Sequence, residues 1–175
     1  AAAPSQLIAM AYATVADLVA RFGERELVLL TDLDNIPPSV IDVAAVEVKI
    51  ADACAFADGY IGQVWSLPLA GCAKPVTVPG ATPEYVAPPM LVRLVCDLAR
   101  YYLHDDLAPE NEVYRRYQAA VKELEKIATG KAVLTCPWGG APGVALGTDV
   151  QTGSDEVYFS FSPRAVTDDV LKGFA

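Results

Sequence analysis

Histidine is nearly absent from this sequence, and with it the residue pairings that build common catalytic and metal sites. His104 is the one histidine among 175 residues, so a zinc site of the usual cysteine–histidine kind has no second imidazole. The four cysteines contain no C-x-x-C pair, and no serine lies in a G-x-S-x-G turn. A phosphate-binding loop ending at Gly130 would need a glycine where Glu125 stands. The sequence therefore predicts no catalytic residue, no cofactor and no bound metal.

Positive charge is also scarce. Thirteen basic residues stand against 22 acidic ones, which gives a formal net charge of −9. Affinity for nucleic acid grows with the number of phosphates that a protein neutralises, so this charge argues against an extensive phosphate-binding surface. It argues as strongly against a polybasic membrane patch. An acidic wall that lets DNA pass without holding it is compatible with this charge.

No apolar run is long enough to cross a bilayer. The longest, Leu91–Leu103, contains Arg93, Asp97 and Arg100, whereas a spanning helix needs about 20 predominantly apolar residues. The N-terminus shows no cationic and apolar signal sequence. Residues 1–9 precede Met10, and we interpret them as a tag remnant or an alternative upstream start.

The cysteines are too widely spaced to indicate a metal site. Cys54 and Cys96 fall within helical apolar patterns, whereas Cys72 and Cys136 lie in segments rich in proline and glycine. Buried free cysteine behaves as a small hydrophobic residue. We therefore expect four reduced thiols and assembly of the protein in a reducing cytosol.

The composition favours one folded domain with an appended arm. Hydrophobic residues make up 53% of the chain and charged residues 20%, and a domain of this length buries roughly 70% of its unfolded surface. We predict an N-terminal extension over residues 1–9, a helical domain over 10–131 and an extended arm over 132–175. The expected fold is mainly α: a four-helix-type bundle with a proline-rich loop or hairpin and a short strand in the arm.

Apolar residues at steps of three and four predict the four helices. Thr14 and Asp17 form a capping box at the start of the first, which Gly23 ends. A shorter apolar segment, Glu24–Thr31, follows. The second helix is predicted from Ser39 to about Trp65, the third from Pro89, and the fourth from Pro109 to Gly130.

The third helix is predicted to be the centre of the bundle. Its polar residues form one thin stripe of Arg93, Asp97, Arg100 and His104, and the remaining positions are apolar. We expect His104 to act as a cation at the helix C-terminus. The predicted core comprises Val46, Ile50, Leu94, Val95, Leu98, Val121 and Leu124.

The segment Ser66–Pro89 contains too many prolines to be helical. Val76–Val78 is predicted to pair as a short strand with residues near Leu67. A loop this long in a compact domain is usually functional or an interaction element.

The C-terminal arm is predicted to leave its own bundle. Val157, Phe159 and Phe161 alternate with polar residues, which indicates a half-buried strand that needs a partner edge. We expect this strand to pair with another chain, and Leu171 and Phe174 to provide apolar contacts. A hairpin folded back on the same bundle is the alternative.

Several short motifs follow one another in a recognisable order. The chain opens with Met10–Thr14, Asp17–Gly23, Glu26–Leu27 and Leu30–Asp32, and continues with Ile41–Asp42, Ala53–Ile61 and Leu67–Leu69. The series is completed by Pro88–Pro89, Leu94–Tyr101, Tyr114–Tyr117, Ile127–Lys131 and Asp168–Phe174. In this order the motifs resemble the small head–tail connector (adaptor, head-completion) proteins of Mu-like phages and prophages.

The resemblance implies a structural virion protein rather than an enzyme. Such connectors form a homo-oligomeric ring of about a dozen copies below the portal protein and bind the next tail-completion protein. The resemblance thus implies a location at the head–tail junction of the virion, with DNA passing through the channel and no membrane contact. A free-standing helical binding or regulatory protein of bacterial or prophage origin is the alternative, and an enzyme ranks third.

Overall fold

Two short helices lead into the bundle. The computed structural model describes residues 11–78, 80–104 and 110–146 of the chain. α1 covers Val15–Phe22 and α2 covers Glu24–Thr31. The predicted capping box is confirmed, because the Thr14 side chain accepts the Asp17 N–H while the Asp17 carboxylate accepts the Thr14 N–H. Gly23 lies between the two helices with a φ of 88°, a conformation that favours glycine.

α3 covers Val43–Ile61 and is shorter at both ends than the sequence predicted. Ser39 does not begin it, because the N–H groups of Ser39 and Val40 donate to the Asp32 carboxylate and belong to the preceding loop. Asp42 is the cap instead, and its side chain accepts the N–H groups of the first helical turn.

α4, Pro89–Leu103, is the centre of the molecule and packs against α1, α3 and α5. Its start at Pro89 is confirmed. The structure places Val46, Ile50, Leu94, Val95, Leu98 and Leu124 in one buried cluster, with Val121 half-buried against it. Leu98 has no exposed surface. The apolar faces of three helices therefore meet at α4.

α5 covers Glu112–Ala128, so its start was placed too early in the sequence prediction. Asn111 is the N-cap, and its side chain accepts the Val113 N–H at 2.8 Å. A capping side chain at this position fixes the start of the helix. Within the described residues the bundle therefore has five helices, of which α1 and α2 are short, rather than four.

The proline-rich segment forms a small sheet, but not the predicted one. β1, Cys72–Ala73, pairs antiparallel with β2, Tyr85–Val86, and Cys72 lies opposite Val86. The prediction of a strand at Val76–Val78 is wrong: these residues lie in the connection between β1 and β2. Prolines on both sides of the connection limit its backbone hydrogen bonding.

The expectation of four free thiols is wrong for one pair. Cys72 and Cys136 form a disulfide across a sequence separation of 64, whereas Cys54 and Cys96 are free and buried. In the chain-entropy account, closing a loop of this length stabilises the fold by about 4 kcal/mol. Spacing alone gave no sign of the pair, because the two cysteines meet only when the C-terminal segment packs on the proline-rich one.

Residues 132–146 pack back on the bundle. Leu134 is buried in the core, and the N–H groups of Ser66 and Leu146 donate to Val144 and Val64 carbonyls respectively. The prediction that the chain leaves the bundle directly after Lys131 is therefore wrong for this stretch. The predicted strand residues Val157, Phe159 and Phe161, and also Leu171 and Phe174, lie outside the described residues.

Leu98→Ala is expected to lower the free energy of unfolding by about 2–5 kcal/mol, because it leaves a cavity where α1, α3, α4 and α5 meet. Urea denaturation followed by circular dichroism measures the change. Leu33→Ala is the matched control: Leu33 is largely exposed, so the same truncation should change stability by less than about 0.5 kcal/mol. Equal losses in both variants would contradict the central position of α4.

Candidate assembly surfaces

The loop between α2 and α3 is held in one conformation by a single carboxylate. Asp32, only 7% exposed, accepts the N–H groups of Ser39 at 2.8 Å, Val40 at 3.1 Å and Asn35 at 3.2 Å. The Asn35 side chain donates to the same carboxylate. The backbone donors at Ser39 and Val40 are the largest cause that lowers the pKa of Asp32. The loop is thus ordered by interactions inside itself rather than by packing on the core.

This ordered loop presents aliphatic side chains to solvent. Ile36 is 98% exposed, Leu33 80% and Val40 65%. We call these three residues the loop surface. Single exposed apolar residues need no explanation, but several on one preorganised loop indicate a contact site.

One cation lies beside the loop surface without an ion-pair partner in the described residues. Arg25, on α2, borders the depression between α2 and the loop, together with Glu24, Pro37 and Pro38. None of the ion pairs within the described part of the chain includes Arg25. Its charge is therefore available to a partner.

An apolar groove of about 440 Å³ runs between α3 and the segment preceding α1. Its lining is made mostly of small apolar side chains: Ala11, Ala13, Val15, Ile50, Ala51, Cys54 and Ala55. Tyr12 fixes one wall, because its hydroxyl donates to the Asp58 carboxylate. Burial and this carboxylate raise the pKa of Tyr12, so the hydroxyl stays protonated. The wall is thus held rigidly against α3.

The rim of the groove is acidic. Glu47 and Asp58 line it, and the described lining contains no lysine or arginine. Asp58 is engaged by Tyr12, whereas Glu47 has no hydrogen bond or ion pair within residues 11–78, 80–104 and 110–146. Glu47 is therefore a carboxylate free to meet a cation.

A second exposed apolar region lies at the far end of α3. Residues 136–146 run beside 64–72, joined by the disulfide and by the Gly71 N–H donating to the Pro142 carbonyl at 2.7 Å. We call this layer, together with the adjoining β1–β2 hairpin (residues 72–78 and 80–86), the linked end. Its exposed apolar side chains are Val76, Val78, Tyr85, Trp138, Val144 and Leu146. α3, which has 19 residues and is therefore about 28 Å long, lies between the loop surface and the linked end in the chain.

The polar stripe of α4 is neutralised within the chain. Arg100 donates to both carboxylate oxygens of Glu26 on α2, at 2.6 and 2.9 Å, and stacks 4.5 Å above the ring of Phe22. Arg93 pairs with Glu123 on α5, and Arg116 pairs with Glu112. Arg93 and Arg100 thus join α4 to α5 and α2, whereas the Arg116–Glu112 pair lies within α5; none of the three arginines forms a free phosphate-binding surface.

Asp97 is the buried member of this stripe and is 8% exposed. Its closest cation is Arg93, at 3.9 Å. Burial raises the pKa of Asp97, and the surrounding arginines only partly oppose this shift. His104 caps α4, with its Nε2 3.8 Å from the Glu26 carboxylate. Asp97 and His104 therefore lie within the set of ion pairs that joins α4 to the neighbouring helices.

The tyrosines of α4 and α5 pack against one another. The rings of Tyr101 and Tyr117 stack with centroids 4.1 Å apart, and Tyr114 meets Tyr101 edge-on. Burial raises the pKa of Tyr102 to about 12. These rings therefore contribute to the packing of α4 against α5.

The described residues hold no group of three or more histidine, cysteine, aspartate or glutamate side chains arranged to bind a metal ion. None of the helices in the described part of the chain is long and apolar enough to cross a membrane. Sequence reasoning missed the loop surface and the groove, since neither forms a periodic pattern. Within the described residues, the proline-rich loop was the sequence signal that pointed to an interaction region.

Comparison with known proteins defines the class as a bacteriophage protein. A family model matches residues 12–145, a span that includes the five helices and both strands described above. The family is described as Bacteriophage Mu, Gp36, and the chain belongs to it.

A relative from a characterised phage agrees with this assignment. The chain is 34% identical to gene product J of Escherichia phage Mu over 125 residues, which cover 70% of this chain and 74% of the relative. The resemblance to Mu-like phage proteins is thereby confirmed.

Asp32→Ala is expected to release the α2–α3 loop, because four donors lose their common acceptor. Limited proteolysis should then cleave within residues 33–41, and the free energy of unfolding should fall. Asp34→Ala is the control, since Asp34 is exposed in the same loop and accepts no hydrogen bond within the described residues.

The sign of the pH dependence is a further part of this test. The pKa of Asp32 is lower in the folded state than the ordinary pKa of aspartate. The ionised Asp32 carboxylate therefore stabilises the fold at pH values above that ordinary pKa, and the stabilisation is lost as the pH falls through the lowered pKa. Wild type should therefore lose stability in acid more steeply than Asp32→Ala. Identical acid profiles and identical proteolysis would show that Asp32 does not order the loop.

Proposed function

We propose that the protein is a structural component of the virion that forms a ring-shaped head–tail connector below the portal. In this role it extends the DNA channel and joins head to tail. Membership of a Mu phage family supports a structural or morphogenetic role. The connector role itself rests on the surfaces of the molecule.

The observation that carries the proposal is the presence of separate, ordered apolar surfaces on one small bundle. The core is closed around α4, yet the loop surface and the linked end each expose apolar side chains at opposite ends of α3. A ring subunit needs lateral contacts to its own copies and axial contacts to other proteins. We assign the linked end to an axial partner, either the portal or the next tail-completion protein.

The charge distribution supports passage of DNA without binding. The net charge is −9, and the two arginines of the α4 stripe, Arg93 and Arg100, are paired with Glu123 and Glu26. A surface on which carboxylates outnumber cations releases few counterions and holds DNA weakly. A channel lined by such subunits would let DNA slide.

The C-terminal segment completes the proposal. Leu146 is hydrogen bonded to Val64 at the linked end, and 29 residues follow it. An extended chain of this length reaches up to roughly 100 Å. Val157, Phe159 and Phe161 are proposed to pair with a neighbouring copy or the portal, and Leu171 and Phe174 to anchor in an apolar pocket.

Genetic complementation tests the function. Phage particles made without the protein should accumulate as separate heads and tails, and the full chain should restore joined, infectious particles that contain it. A chain ending after Leu146 should fold, as judged by circular dichroism, because the described core is intact, but it should not restore joining. Infectious particles that lack the protein would contradict the proposal, and full complementation by the shortened chain would remove the role of the C-terminal segment.

A further inference from the structure

The described surface offers two complementary regions, the loop surface and the groove, for a contact between neighbouring copies of the proposed ring. A closed ring with rotational symmetry uses a heterologous interface, in which each copy contributes two different surfaces. The loop surface projects three aliphatic side chains, and the groove is an apolar depression lined by small residues. Within one copy the two do not meet, since Ile36, Leu33 and Val40 remain largely exposed.

We propose that the loop surface of one copy docks into the α3 groove of the next copy, with Arg25 of the first against Glu47 of the second. This inference rests on the proposed ring and names the contact that builds it. Each copy then inserts its loop surface into the groove of one neighbour and accepts the loop surface of the other neighbour in its own groove. The same contact repeats around the ring.

The fit is argued first from shape. Ile36 is the most exposed residue of the loop surface, and a groove lined by Ala11, Ala13, Ala51 and Ala55 leaves room for a branched aliphatic side chain. Asp32 holds the loop in its exposed form before any contact is made, so little conformational entropy is lost on docking. A preorganised apolar anchor in a small-residue pocket is typical of an interface hot spot.

Charge supports the same pairing. Arg25 lies beside the loop, and Glu47 lies on the rim of the groove; neither has an ion-pair partner within the described residues. The carboxylates of Glu24 and Asp34 also lie beside or in the loop and would repel an acidic rim, so the proposed contact requires Arg25 to lie opposite Glu47. Opposite charges at the edge of an interface fix its register.

A charge-reversal cycle on the full chain tests the contact. Sedimentation velocity over a concentration series gives the midpoint of assembly for wild type, Arg25→Glu, Glu47→Arg and the double variant. Each single reversal should raise the midpoint at least ~10-fold, and the double variant should return to within about threefold of wild type, because the pair is restored with opposite polarity.

Apolar controls separate docking from folding. Ile36→Asp should abolish assembly, whereas Val76→Asp makes the same change at the linked end and should leave the assembly midpoint unchanged. Circular dichroism should show all variants folded. Single reversals without effect, or a double variant no better than the worse single one, would overturn the proposal, and so would a wild type that stays monomeric at every concentration.

A different occupant of the groove gives a different pattern. If a segment of the same chain fills it, the charge reversals leave assembly unchanged and Ala51→Trp lowers the melting temperature of the monomer, which overturns docking between copies. Failure here is distinguishable from failure of the connector role, because that role is judged by joined particles in the complementation experiment. Complementation by the full chain together with a negative charge cycle would retain the connector and reject this contact.

Discussion

The burial of α4 is the constraint on which the other elements depend. This helix is apolar on nearly every side, so α1, α3 and α5 must surround it to remove Leu94, Val95 and Leu98 from water. Its polar stripe is the one side that apolar packing leaves open. There Arg93 and Arg100 reach carboxylates on α5 and α2, and burial raises the pKa of Asp97 while the neighbouring arginines partly oppose this shift. The same helix thus gathers the core on one side and joins the remaining helices by ion pairs on the other.

Because the core is complete without them, the exposed apolar side chains of the loop surface and the linked end have no role in packing the core. The α2–α3 loop is ordered by Asp32 and the linked end by the Cys72–Cys136 disulfide, so each presents its side chains without help from the core. Both devices restrict conformations before any partner is bound, which lowers the entropic cost of association. The separation of these regions along α3 allows contacts between copies and contacts with other proteins to coexist on one subunit.

Local signals made part of this structure predictable from the sequence. The capping box at Thr14, the start at Pro89 and the central position of α4 follow from neighbouring residues and from periodicity. The start of α3 could not be read in this way, because distant Asp32 holds Ser39 and Val40 in the loop. The disulfide and the packing of Leu134 depend on segments far apart in the chain. The groove likewise forms only where the residues preceding α1 pack against α3. The proline-rich sequence predicted an interaction region in general terms, but it did not predict this groove.

Electron microscopy of the assembled full chain, labelled at the linked end, tests the central claim most directly. Cys54 and Cys96 are buried and the other two native cysteines are bonded to each other, so a gold-maleimide label on Val78→Cys marks one site per copy. The account predicts rings of about a dozen copies with an axial hole and all labels on one face, since rotational symmetry places the same end of every copy on the same side. Compact particles without a hole, open filaments, or labels on both faces would contradict it.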